Sequence, residues 1–194
     1  MRLFVALTPP PDAVAELAAA LAPLRAAHPG LRWLPPEQWH VTLAFLGEVD
    51  DRARADVTQR LARAAARHPA PVLAFGAAGR FGDRVLWARV QGDAGPLGRL
   101  ADSVRAAARR ARIPVEDRPY RPHVTLARTR AQTGLRPLVA ALAGFAGREW
   151  TASDLHLVRS RLGAGPDGGA LHEPLVSWPL GPGDRMPGKP RSGQ

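Results

Sequence analysis

The apolar positions of this chain change period several times, and each change predicts an element. Residues 2–8 (RLFVALT) form a short apolar run stopped by Pro9, Pro10 and Pro11, the pattern of a buried strand. Beyond it Val14, Leu17, Leu21 and Leu24 recur at three- and four-residue spacing, which predicts a helix capped by Asp12. Residues 40–46 are apolar and β-branched and end at Gly47, again a strand. Asp50 and Asp51 open a second helix with Val57, Leu61 and Ala64 inward and Arg52, Arg60, Arg63 and Arg67 outward. Strands are expected over residues 72–75 and 84–91. A third helix starts at about Pro96, with Leu97, Leu100, Val104 and Ala107 or Ala108 on one face. A strand over 121–128, a short helix over 135–142 and strands around 149–159 and 171–180 complete the pattern. The stretch after Leu180, GPGDRMPGKPRSGQ, has no apolar periodicity. The expectation is one domain over residues 1–180 and a disordered tail over 181–194. Helices and strands interleave, with several strand pairs close enough for hairpins, so the fold class expected is α+β with antiparallel sheets.

Composition narrows the setting. The 194 residues contain no cysteine, which excludes disulfides and thiolate chemistry and leaves a cytoplasmic protein as the expectation. No apolar run approaches the roughly 20 residues of a membrane span. The apolar part of MRLFVALTPPPD is too short for a signal peptide. Net charge is +10, with Lys189 the single lysine among 27 basic residues. That balance suits an anionic partner. It also follows from a composition rich in Ala, Arg, Gly and Pro, so charge alone decides nothing.

One string carries the chemistry. His40-Val41-Thr42-Leu43-Ala44 returns letter for letter as His123-Val124-Thr125-Leu126-Ala127. With six His and seven Thr in the chain, chance supplies only about 0.2 His-x-Thr matches, and a shared five-residue string is far rarer. Strand alternation turns Val41 and Leu43 into a core and leaves His40 and Thr42 side by side on the other face, with His123 and Thr125 in the same relation. Two imidazoles across a cleft can take and give a proton near neutral pH, and two hydroxyls can hold phosphoryl oxygens. Neither copy brings an Asp, Glu or Cys at ligand spacing, so no metal site and no cofactor is expected. A serine hydrolase lacks its Gly-x-Ser-x-Gly elbow and a nucleotide-binding fold its glycine-rich loop. His28 and His68 stand beside prolines and read as surface residues. His156, within DLHLV, is compatible with either face.

The runs RLFVAL, WLPPEQWHVTLAFLG, RPHVTLAR and LHLVRS, with the closing WPL, resemble the 2H phosphoesterase superfamily. Within it they resemble the RNA 2′,3′-cyclic phosphodiesterases, also called 2′-5′ RNA ligases. The resemblance spans roughly residues 1–180. It implies a bilobal fold, two antiparallel sheets with outer helices around a central cleft, and hydrolysis of a 2′,3′-cyclic phosphate to a 2′-phosphomonoester. It implies His40 as proton donor to the leaving 3′-oxygen, His123 as the base that activates water, and Thr42 and Thr125 as phosphate holders. It further suggests Phe45 and Arg128 as a clamp on the terminal base. Each lies five residues after its histidine, where simple alternation puts it on the wrong face, so the clamp requires a twist or bulge. Where the family tends to have a tyrosine near the C-terminus, this chain has His172. The implied partners are nucleotides and RNA ends with a cyclic phosphate, tRNA halves among them, acted on by a monomer. Two other functions fit the same residues: joining a cyclic-phosphate end to a 5′-hydroxyl end, and non-catalytic binding of RNA ends.

Overall fold

The computed structural model describes residues 1–129, 134–165 and 168–181. The tail expected after Leu180 thus lies, from residue 182 onward, outside the described residues. The elements run β1 (Arg2–Leu7), α1 (Pro11–Ala27), β2 (Arg32–Trp33), a 3₁₀ turn (Pro36–Gln38), β3 (Val41–Glu48), α2 (Asp51–Ala65), β4 (Val72–Phe81) and β5 (Val85–Gly92). Then follow α3 (Ala94–Arg110), β6 (His123–Arg128), α4 (Arg136–Ala141), β7 (Glu149–Thr151), β8 (Asp154–Leu162) and β9 (Ala170–Pro179). Two antiparallel sheets result, one in the order β3-β1-β8-β9 and the other β2-β6-β5-β4-β7. The fold is α+β and bilobal, with one motif strand in each sheet and the two motif strands in contact.

The chain crosses between the sheets twice in ways that set the site. Residues 149–159, where strand was expected, divide at Ala152 and Ser153: β7 pairs with β4, and β8 pairs with β1. The segment leading into the first motif leaves its own sheet to add β2 to the other, with Leu34 N–H donating to Leu126 O at 2.8 Å. That two-residue strand has no propensity signal of its own; pairing with β6 creates it.

Helices α2 and α3 pack on each other, α2 also against β8 and β9 and α3 against β3. Val57 and Leu61 from α2, Leu97, Leu100 and Val104 from α3, and Leu3, Val5 and Leu7 from β1 are all buried in one core that also takes in Leu86 and Leu126 of the second sheet. At about 1.5–3 kcal/mol for each such side chain, a one-residue slip of β1 or β3 would expose too much apolar surface to persist.

Three expectations need correction. Asp12 does not cap α1: the helix begins at Pro11, whose missing N–H suits the first helical position. Asp12 instead accepts from Ala13 N–H and pairs with Arg148 at 3.2 Å. Strand β4 continues well past Phe75, because its Gly- and Ala-rich half is held by pairing with β5 rather than by its own propensity. His68 is not a free surface residue: it shares a 2.7 Å hydrogen bond with Ser103 Oγ on α3.

Candidate active site

Both motif strands carry the same irregularity. On β3, Thr42 lies opposite Ala6 and Ala44 opposite Val5, so Leu43 has no partner. On β6, Thr125 lies opposite Trp87 and Ala127 opposite Leu86, so Leu126 has none. A bulge at the fourth letter of the string resets the alternation. Val41, Leu43 and Ala44 stay buried, as do Val124, Leu126 and Ala127. The next residue then returns to the face of the histidine. Phe45 pairs with Phe4 and shares a face with Thr42; Arg128 pairs with Val85 and shares a face with Thr125 and His123. Phe45 is 55% exposed although it is a phenylalanine in a central part of a strand.

The histidines are held alike. His40 Nδ1 is 2.7 Å from Gln38 O, and His123 Nδ1 is 2.6 Å from Arg121 O, each the carbonyl two residues upstream. A carbonyl can only accept, so each Nδ1 carries the proton and each Nε2 presents its lone pair. Among the described residues, no protein group engages the hydroxyl of Thr42 or Thr125.

Around this common frame the sheets differ. The His40 ring lies 4.6 Å from Phe4 and 4.9 Å, edge-on, from His172. In the sheet register His172 sits opposite Ser160, at the end remote from His40. A bulge at Leu175 bends the β8–β9 ribbon, and its far end returns to the start of β3, where Gln38 Nε2 donates to Ala170 O at 2.8 Å. His172 Nδ1 is enclosed without a hydrogen-bond partner. The His123 ring lies 5.0 Å from Phe81 and 5.9 Å from Trp87. Trp87 lies flat over Gly79, where a Cβ would come within 2.2 Å of the indole ring.

Electrostatics follow from these surroundings. Burial above all, then the facing His172 and His123, push His40 down to about 4. His123 is also lowered, by burial and by Arg118 and Arg128, against the pull of the Arg121 carbonyl. Arg128 has Arg32 beside it, directly opposite on β2. Both imidazoles therefore favour the neutral form near pH 7, and an anion beside either of them would favour its protonated form.

His156, open to either face in the sequence, pairs with Ala6 and so joins the row Thr42–Ala6–His156 on the cleft side, its Nδ1 2.7 Å from Ser177 Oγ. Phe4, Phe81, Trp87 and Gly79 carried no motif signal. Only the alternation of β1 and β5, with Leu3, Val5, Leu86 and Ala88 taking the core face, could have pointed to Phe4 and Trp87. Among the described residues no three His, Asp or Glu side chains converge as a metal-ligand set, and no helix is long and apolar enough to cross a membrane.

The profile of the 2′-5′ RNA ligase superfamily matches residues 9–164. An RNA 2′,3′-cyclic phosphodiesterase of Thermus thermophilus is 34% identical over 171 residues, covering 84% of this chain and 83% of that protein. One of Escherichia coli is 29% identical over 188 residues, covering 92% and 96%. The crystal structure of E. coli LigT in apo form aligns with a TM-score of 0.72 at 26% identity, over 93% of this chain and 97% of that one. A complex of the same E. coli protein with 3′-AMP aligns at 0.69 and 25% identity, over 92% and 96%. The matched span takes in both histidine strands and the bulges that follow them, and the chain belongs to the 2′-5′ RNA ligase superfamily.

Proposed function

We propose that this protein hydrolyses RNA or nucleotide 2′,3′-cyclic phosphates to 2′-phosphomonoesters, using His40 as acid, His123 as base and no metal ion. The observation that carries this reading is the duplicated geometry: two imidazoles with Nδ1 tied to a carbonyl and Nε2 free, each beside an unengaged threonine hydroxyl. The relatives named RNA 2′,3′-cyclic phosphodiesterase support the activity, and the E. coli complex with 3′-AMP supports a nucleotide-sized ligand.

In the proposed step His123 Nε2 takes a proton from water as its oxygen attacks phosphorus. The P–O3′ bond breaks, and the 3′-oxygen takes the proton of His40 Nε2. His40 ends neutral and His123 protonated, and solvent resets both. Arg118 and Arg128 favour a neutral His123, as a base requires. His40 has to gain its proton together with the substrate, because burial holds it neutral beforehand; the phosphodiester anion supplies that pull. Thr42 and Thr125 would hold the non-bridging oxygens, with Phe45 and Arg128 on the base. Joining to a 5′-hydroxyl would use the same groups with the hydroxyl in place of water.

The test is incubation of the purified protein with a 2′,3′-cyclic nucleotide and with an RNA bearing a cyclic end, with and without EDTA. The expected product is the 2′-phosphate, at the same rate in both conditions. A 3′-phosphate product, or a chelator-sensitive rate restored by one metal, would overturn the mechanism.

A further inference from the structure

On the outer side of the α2–α3 pair, behind the sheet whose cleft face carries His40, a groove of about 370 Å³ is lined by Arg60, Arg63, Arg67, Ser103, Ala107 and Arg110. The lining comes from both sides of the pair: Arg60 and Arg63 on α2 and Arg67 in the turn just after it face positions 103, 107 and 110 on α3. Four guanidiniums meet there and no carboxylate lines the groove. Arg60 is held by Asp56 at 2.9 Å, but among the described residues Arg63, Arg67 and Arg110 pair with no acid. Elsewhere on the same helices Arg54, Arg105 and Arg109 are paired with Asp51, Asp102 and Asp117. Burial, and after it Arg67 and Arg99, lower the neighbouring His68.

We propose that this groove is a second RNA site, taking the phosphodiester backbone of a strand whose cyclic end lies in the cleft. The proposal rests on the RNA reading above. Guanidinium forks bind phosphate oxygens in pairs, and a strand whose end lies in the cleft supplies several phosphates in succession. Arg60 and Arg63 lie nearly one turn apart, about 4.5 Å along α2, and with Arg67 and Arg110 they present four guanidiniums to neighbouring phosphates of one strand. The groove lies on the face opposite the cleft, so a mononucleotide fills only the cleft, and only an RNA long enough to pass round the first lobe reaches both.

The test compares the wild-type full chain with the triple variant Arg63→Ala, Arg67→Ala, Arg110→Ala. Turnover of a 2′,3′-cyclic mononucleotide should be unchanged, which also reports the fold. With a structured RNA of about 35 nucleotides carrying a cyclic end, KM should rise about tenfold or more at low salt, and the slope of log KM against log salt should fall by about 2, for three phosphates at about 0.7 each. Anisotropy with the same RNA ending in a 2′-phosphate gives Kd independently of turnover, so a chain that hydrolyses neither substrate still tests the groove. Equal RNA affinity in both proteins would overturn the proposal, as would an equal loss of affinity for polyglutamate.

Discussion

In the first sheet His40 stands between Phe4 and His172, with no fixed cation among the causes of its shift, and burial takes it down to about 4. In the second sheet His123 stands between Phe81 and Trp87 at the edge of a basic rim formed by Arg118 and Arg128. The backbone is the same in both: the same five letters, the same unpaired fourth residue, the same Nδ1–carbonyl bond. The string therefore specifies how an imidazole and a hydroxyl are presented, and the neighbours, which share no sequence, specify what each imidazole does. A duplicated strand can supply an acid and a base only if its surroundings diverge.

The largest expected effect comes from deleting either imidazole. His40→Ala and His123→Ala should each lower kcat by about 10²–10⁴-fold with circular dichroism unchanged, since neither side chain is part of the apolar core. A substrate with an activated 3′-leaving group needs no proton from the enzyme. It should restore most of the rate of His40→Ala and leave His123→Ala inactive. Rescue of the second variant instead would exchange the two roles, and retention of a tenth of the wild-type rate by either would remove it from the chemistry.

The second effect breaks one half of the comparison without touching a histidine. Gly79→Ala drives a methyl into the Trp87 ring, which must swing away from His123. Overpacking of this kind costs about 1–3 kcal/mol of stability. The expected loss is about tenfold in kcat, with the Tm lowered and with turnover of the activated substrate reduced as well, because the group disturbed is His123, the proposed base. Unchanged kinetics with a lowered Tm would mean that Trp87 is packing alone.

The third concerns charge. A histidine held at about 4 in the fold and near 6.5 in the unfolded chain is neutral in both states above pH 7. As pH falls from about 6.5 to 4 the unfolded chain binds a proton that the fold refuses, so stability is lost on acidification, by up to about 1.4 kcal/mol per pH unit for one such group. The Tm of the wild type should fall through that window, and His40→Gln should fall less. His172→Tyr removes one of the charges facing His40 and should raise the pH at which His40 titrates by NMR. No movement would show that burial alone sets it.

Much of this was legible in the sequence, for identifiable reasons. The helices α2 and α3 follow from period-3.6 apolar spacing, and the histidine pair from a repeated string that chance does not produce. The need for a bulge before Phe45 and Arg128 could share the histidine face was also legible, because alternation has fixed parity. What was not legible is whatever depends on pairing between distant segments. Strand β2 exists only because β6 lies beside it. The Gly-rich half of β4 extends only because β5 holds it. His172 reaches His40 only through the bend of a hairpin whose register would place it elsewhere. Residues 149–159 cross from one sheet to the other at Ala152 and Ser153, and which sheet each part joins is set by pairing with β4 and β1.

The smallest expected effect tests whether the fifth position after each histidine has diverged in the way the histidines' surroundings have. Phe45 is exposed, and its nearest ring is Phe4 at 6.0 Å, so Phe45→Ala removes little packing and should change stability by less than about 0.5 kcal/mol. Stacking of a base on an aromatic side chain is worth about 1–3 kcal/mol, and a share of that should appear as a several-fold rise in KM with kcat held. Arg128→Ala removes a cation as well as a flat surface. Its KM should rise with kcat changed too, because Arg128 also helps to keep His123 neutral. The acidic limb of the pH–rate profile, where the base becomes protonated, should then move to higher pH. Phe45→Ala should leave that limb in place, having no charge to contribute. If both variants raise KM equally and neither moves the acidic limb, the two positions are equivalent holders of a base, and the divergence between the halves stops at the histidines' immediate neighbours.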